Sequence, residues 1–377
     1  MFWGVAIFLW FSLNKSLTLE TWLPSLLELQ GLHPNPRGIW KDDRCLAPPL
    51  HNFSSPRLPP LQANSTSSKV AFLFLTNNDR DGPVLEEMWR KWLPEDDPRY
   101  LLLVHTEVST TTVPLGPFFC RHAIPSVPSK HTFLLQAEMQ LLKYALNEGA
   151  THFVFLSLSH MPIRSFDSVY EQLVKRTKNG SRSIFWISDQ WQVERDWSTT
   201  SRELGIARQH LSRASQWSVL TRFHVQVILR NELTLLRWNH AIETAYNEGK
   251  RMGPPDELFF PTLLKQQLYT NFSSAVYDDY HLVWMEWIAE RNRDCSPHHG
   301  RPPEHPCTFQ SLKLKLIRYL QGEGYLFVRK ILPNTQLVNP DENREPLLSS
   351  LPRVINGYEN AVKSISESIK KSTAAQE

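Results

Sequence analysis

Val70-Ala71-Phe72-Leu73-Phe74-Leu75 is an unbroken apolar run of strand length. A strand with one wet face alternates polar and apolar residues, so a continuous run predicts burial on both faces, as in a parallel sheet covered by helices. Further strand-length runs occur at residues 100–104, 152–156, 184–187, 217–220 and 325–328. Helix-period stretches separate them. Leu135, Met139, Leu142 and Leu146 share one helical face, with Thr132 available as a cap and Gly149 as a stop. Residues 166–174, 223–229 and 233–248 read as further helices. Strands alternating with helices predict an α/β fold, a mostly parallel sheet flanked by helices with ligands at the carboxyl ends of its strands.

Outward from this region the character of the chain changes. Residues 34–68 are rich in Pro, Ser and Asn without a sustained period, as in a stem or linker. Residues 2–13 are uncharged and apolar, shorter than the roughly 20 residues that span a bilayer. They lack a basic leader and a clear small-residue cleavage site, which leaves open a minimal signal peptide, a short anchor or the remainder of one. The expected organisation is therefore a signal peptide or short membrane anchor over 1–16 and a stem over 17–68. A single catalytic domain over 69–340 and a polar C-terminal tail over 341–377 follow. Asn14, Asn52, Asn64, Asn179 and Asn271 each begin an Asn-x-Ser/Thr sequon, which points to the Golgi or ER lumen. Four cysteines allow three pairings, and the short Pro-rich stretch between Cys295 and Cys307 makes those two the expected pair. The cluster Cys295, His298, His299, His305 and Cys307 matches no standard zinc spacing.

Composition excludes several function classes. The net charge of +3 is spread along the chain without a basic stripe, so no nucleic-acid partner is expected. No Gly-rich dinucleotide fingerprint follows Leu75, and there is neither a P-loop nor a hydrolase nucleophile elbow. Dehydrogenase, NTPase and α/β-hydrolase readings lose their support. Thirteen Trp suit either core packing or the apolar faces of sugar rings, and composition does not separate the two.

An ordered series of blocks is more specific. Residues 70–76, Leu103-Val104-His105-Thr106 and Phe155-Leu156-Ser157-Leu158-Ser159-His160-Met161-Pro162-Ile163 come first, then Ser215-Gln216-Trp217. Pro255-Asp256-Glu257-Leu258-Phe259-Phe260-Pro261-Thr262-Leu263-Leu264, His305-Pro306-x-Thr308-Phe309 and Leu326-Phe327-Val328-Arg329-Lys330 complete it. In order and spacing these resemble the blocks of the Core-2/I-branching glycosyltransferases, especially their plant-like branch, over roughly residues 69–335. The resemblance implies a GT-A type fold, in which a Rossmann-like sheet that binds the nucleotide-sugar merges with an acceptor-binding half. It also implies an inverting, metal-independent transfer from a UDP-sugar to a glycan or glycoprotein hydroxyl. N-acetylglucosamine, xylose and glucuronic acid are the donor sugars found in such a family.

Inverting transfer needs a carboxylate to take the acceptor proton and positive charge to meet the departing diphosphate. Glu257, behind Pro254-Pro255 at an expected helix start, stands at the family's base. By pattern alone it also suits a first-turn carboxylate that only favours the helix dipole. Asp256 beside it reads as an N-cap. Lys330 matches the diphosphate-binding lysine, with Arg329 assisting or turned away, since alternate strand residues face opposite sides. A solvated Lys330 is the plain alternative. Lys313, Lys315 and Arg318 are candidates for a second cation. His105 would lie near the nucleotide, and Ser215, Gln216 and Trp217 would line the acceptor cleft. Trp284 and Trp287 suggest sugar stacking. No metal is expected, since the turn after residue 156 lacks a carboxylate and Asp79-Arg80-Asp81 follows the wrong strand for a metal motif. Leu158, Leu258 and a missing Trp-Gly before Phe133 depart from the family, so a catalytically silent, glycan- or partner-binding relative is the alternative.

Overall fold

The computed structural model describes residues 68–76, 85–106, 115–127, 134–188, 194–250, 252–268, 271–279, 281–286, 295–296, 306 and 308–374. The expected signal peptide or anchor, nearly all of the stem and Thr132 lie outside them. Among the described residues, no helix is long and apolar enough to cross a membrane.

The central sheet has six strands: β1 (Val70–Thr76), β2 (Tyr100–Thr106), β3 (His152–Ser157), β5 (Ser183–Phe185), β6 (Val219–Thr221) and β7 (Val276–Asp278). The short β4 (Met161–Pro162) lies elsewhere. Their order is β2-β1-β3-β6-β5-β7. β1 runs parallel to β2 and β3, and β5 runs parallel to β7; only β6 is reversed. This is the mostly parallel α/β sheet that the apolar runs predict. All seven residues of β1 are buried, as its lack of alternation requires.

Helices α1 (Glu86–Trp92), α2 (Pro117–Arg121), α3 (Leu135–Asn147), α4 (Phe166–Arg176), α5 (Glu194–Leu204), α6 (Arg222–Arg230) and α7 (Glu232–Asn247) fill much of the chain between β1 and residue 250. Leu135, Met139, Leu142 and Leu146 of α3 are all buried, and Gly149 follows with a left-handed φ of 82° that ends the helix turn. Phe74, Trp89 and Trp92 pack edge to face at 5.0 and 5.2 Å under the sheet. Truncating Phe74 to Ala there would cost about 3–5 kcal/mol.

One expectation is corrected, and one apolar run falls outside the central sheet. Its strand β11 (Phe327–Arg329) pairs with β4 and with β8 (Val283–Met285) in a separate three-stranded sheet. Continuous burial tells that a strand is covered, not which sheet covers it. The segment expected as a polar tail is also structured. β13 (Arg344–Pro346) pairs with β12 (Ile331–Val338), and a long helix, Leu347–Ala374, follows. Leu347, Leu351, Val354 and Ile355 of that helix are buried, at helical spacing inside a polar composition. Its second half stands clear, with Ile365 60% exposed.

Candidate active site

A helix and a strap of chain beside it build the site. The helix Pro255–Leu268, which becomes α8, opens with Pro at its first position, where the ring presets φ and the missing N–H is no loss. Asp256 therefore lies inside the first turn and is not the N-cap that its sequence suggests. Pro261 stands four residues after Glu257 and has no N–H to return to the Glu257 carbonyl. That carbonyl instead accepts the Ala214 N–H at 2.9 Å. Thr262 Oγ1 accepts the Ser212 N–H and donates to the Ser212 carbonyl, each at 3.0 Å, and Lys265 Nζ donates to the Leu211 carbonyl at 2.9 Å. Residues 211–214 are thus fastened along α8.

This strap delivers Arg213 to Glu257. Arg213 Nε and Nη2 meet Glu257 Oε2 at 2.6 and 2.5 Å, and both side chains are about a quarter exposed. Both contacts fall on Oε2, so Oε1 is left for another partner. Charge-assisted contacts of this kind are short and hold the carboxylate in one orientation.

Two more carboxyls stand behind it. The Asp256 residue keeps some exposed surface, but its carboxyl is closely surrounded by protein. Desolvation, then the charge of Glu257, push it up to about 7, against the opposing pull of nearby backbone N–H groups and Arg213. Glu138 of α3 is 1% exposed. Burial, then the charge of Asp256, push it well above the usual carboxylate range, and a hydrogen bond from Gln216 opposes them. Gln216 Nε2 donates to Glu138 Oε1 at 3.4 Å, while Oε2 is buried without a hydrogen-bond partner. A carboxyl so placed holds its proton.

The opposite flank carries positive charge. Because β6 is reversed, the residues that precede it arrive at the edge where β3 ends: the Phe155 N–H donates to the Ser218 carbonyl at 3.2 Å. Ser215 N–H donates to the Trp186 carbonyl just beyond β5. Trp217 is then covered by the Arg329 guanidinium, 4.4 Å from its ring, and met by the His160 ring at 4.4 Å and 66°. Arg329 Nε donates to Ser157 Oγ at 3.3 Å, and its Nη1 lies 3.8 Å from Met285 Sδ. The β4–β11 register pairs Met161 with Val328, so its continuation sets His160 opposite Arg329. Burial first, then the charges of Arg329 and Lys330, hold the His160 imidazole well below its ordinary range. Lys330 is half-buried beside them, and its carbonyl accepts the Phe309 N–H at 3.0 Å.

Glu257, Ser215, Gln216, Trp217, Arg329 and Lys330 therefore belong to one neighbourhood. Other candidates stand apart. His105 is at the carboxyl end of β2, but it is buried, its Nε2 accepts the Val127 N–H at 3.0 Å, and desolvation lowers it to about 4. It is a neutral residue that ties down the chain beyond β2. Arg318 faces Tyr358 of the long C-terminal helix, Lys313 and Lys315 are exposed, and Trp284 stacks on Phe309 at 5.4 Å. Leu158 and Leu258 are core residues. Cys120 is disulfide-bonded. Cys307 lies outside the described residues, so the Cys295–Cys307 pairing stays an expectation; His298, His299, His305, Asp79, Asp81 and Trp287 lie outside them as well. Among the described residues, no group of three or more His, Cys, Asp or Glu could hold a metal ion.

Sequence reasoning missed Arg213 and Glu138. Arg213 carried no signal. Glu138 did: a carboxylate at that position shares the buried face of Leu135, Met139 and Leu142.

A family model described as Core-2/I-Branching enzyme matches residues 70–318. Over 177 residues the chain is 26% identical to Glycosyltransferase BC10 of Oryza sativa subsp. japonica, covering 45% of this chain and 42% of that protein. The chain thus spans less than half the length of the curated relative it matches. Among solved structures it is similar to apo mouse xyloside xylosyltransferase 1, with 11% identity and a TM-score of 0.32 over 60% of this chain and 90% of that one.

Proposed function

Because the chain belongs to the Core-2/I-branching enzyme family, we propose that it transfers a sugar from a UDP-sugar to a glycan hydroxyl with inversion and without a metal. Glu257 is the general base. Its Oε1 takes the proton of the acceptor hydroxyl as that oxygen attacks the anomeric carbon, while Arg213 on Oε2 fixes the carboxylate. Arg329 and Lys330 meet the diphosphate that leaves. N-acetylglucosamine, xylose or glucuronic acid is the transferred sugar, and the Golgi or ER lumen is the compartment.

One observation carries this reading: Ser215-Gln216-Trp217 joins Glu257 on one flank to two cations on the other.

The test is donor hydrolysis and transfer screened across UDP-sugars, with EDTA and with Glu257→Gln alongside. Turnover that survives EDTA and is lost in the variant supports the assignment, and failure of every UDP-sugar to bind overturns it. Leu158 and Leu258, apolar core residues at positions that are polar in the family, favour a second reading, a silent glycan-binding relative. UDP binding without turnover for any acceptor would select it.

A further inference from the structure

Four residues beside the proposed diphosphate site close a circuit. The Ser157 N–H donates to His160 Nδ1 at 2.9 Å, and Ser157 Oγ lies 2.9 Å from the same nitrogen. His160 meets the Trp217 ring, Arg329 covers that ring, and Arg329 Nε returns to Ser157 Oγ. Since Nδ1 accepts a backbone N–H, the ring proton of the neutral imidazole sits on Nε2. Nε2 is buried and makes no hydrogen bond, and the His160 and Trp217 rings meet edge to face. An edge-to-face ring pair is worth about 0.5–1.5 kcal/mol, enough to orient a ring but not to anchor the fold.

We infer that His160 is a positioning residue for the donor: its ring sets the tilt of Trp217, and Trp217 in turn aims the Arg329 guanidinium at the diphosphate. This rests on the proposed transfer. The two cations that face His160, Arg329 and Lys330, exclude a protonated ring there, so its contribution is geometric and independent of pH near neutrality. His160 lay within a block of the sequence that carries the family resemblance, but no role attached to it.

The test varies UDP-sugar at saturating acceptor for wild type, His160→Leu and His160→Gln, with thermal unfolding alongside. Leu removes both ring nitrogens, and Gln restores an N–H donor near the Nε2 position. A folded Leu variant is expected to raise the UDP-sugar KM about tenfold, with acceptor KM within about twofold. Gln should recover most of the loss, and the pH profile from 6 to 9 should keep its shape, about as wild type. An unchanged UDP-sugar KM in a folded Leu variant overturns the inference, as does a limb of the pH profile that disappears with the histidine. Should the Leu variant not fold, a double-mutant cycle of His160→Gln with Arg329→Lys decides: coupling in UDP-sugar KM supports the inference and strict additivity overturns it. A wild-type protein that uses no UDP-sugar defeats the proposed transfer first; variants indistinguishable from an active wild type defeat only the role of His160.

A separate observation concerns the opposite edge of the sheet. Asn179-Gly180-Ser181 and Asn271-Phe272-Ser273 are sequons whose Asn and Ser residues are exposed. Each lies just before a strand, β5 and β7, and those strands are parallel neighbours. Both sequons therefore sit at the amino edge, away from Glu257 and Arg329. Arg182 Nη2 joins the two segments, reaching the Ser273 and Val276 carbonyls at 3.4 and 3.3 Å. We propose that Asn179 and Asn271 both carry N-linked glycans, a proposal that rests on passage through the lumen. In the transfer, the Asn Nδ2–C1 bond forms as C1 leaves a lipid-diphosphate oligosaccharide, and the amide proton departs with the diphosphate. The test is enzymatic deglycosylation in heavy-oxygen water of the full chain from microsomes, which marks each occupied Asn as labelled Asp on mass analysis. Label at both sites, absent in Asn179→Gln and Asn271→Gln respectively, is expected. Unlabelled Asn in protease-protected lumenal protein overturns the glycans alone; protein outside the lumen overturns the lumenal reading with them.

Discussion

On one side of Ser215-Gln216-Trp217 stand three carboxyls and one guanidinium; on the other, against the Trp217 indole, stand two cations and a neutral imidazole. The two sides manage charge differently. Burial pushes the Glu138 and Asp256 carboxyls towards their protonated forms, and Glu257 is held by Arg213. Across the segment, Arg329 lies against an aromatic face, a hydroxyl and a thioether. The proposed proton acceptor and the proposed diphosphate cations are thus kept apart by three residues of chain.

The contrast can be broken at either side. Glu257→Gln should lower transfer about 10²–10⁴-fold and leave UDP-sugar affinity within a few-fold, read by initial rates and calorimetric binding. Lys330→Met or Arg329→Met should cut kcat/KM by about 10²-fold, with the loss weighted towards the UDP-sugar and not the acceptor. Asp256→Asn separates storage of protons from catalysis. Asp256 rises from 3.8 to about 7 on folding, so the folded state binds its proton more tightly than the unfolded chain. Stability is then greatest below the unfolded value and falls by on the order of 1 kcal/mol per pH unit as pH rises through the window from 3.8 to about 7. Denaturant unfolding at pH 5 and 8 should show that slope in wild type and a flatter one in the Asn variant. The smallest effect belongs to Pro261→Ala. It restores an N–H that competes with Ala214 for the Glu257 carbonyl, and acceptor KM should rise about twofold.

The legible parts of the molecule were those whose determinants are local. The run over β1, the helical spacing of α3 and the Pro-led start of α8 each lie within one short stretch, and each appears as expected. β6 is three residues long, too short for its direction to be read, yet that direction brings Trp217 to the site. Arg213 lies 44 residues from Glu257, and Gln216 lies 78 from Glu138, so neither contact leaves a pattern in the sequence. Glu257 and Lys330 were found through a family resemblance, because a carboxylate in a first turn or a lysine after a strand has ordinary explanations of its own. The C-terminal helix was hidden by composition: its buried positions are few and its remaining surface is polar.

The strap from Leu211 to Trp217 has a further consequence for anyone exchanging pieces between relatives. It is pinned at Lys265, Thr262 and Glu257 along α8 and again where Trp217 lies under Arg329. Between those fixings its length acts as a ruler. One residue inserted or removed between Arg213 and Trp217 shifts the phase, so that Glu257 and Arg329 are no longer held in register. Exchanges here should therefore be made by substitution at constant length, whereas loop grafting that changes the count would shift Glu257 against Arg329.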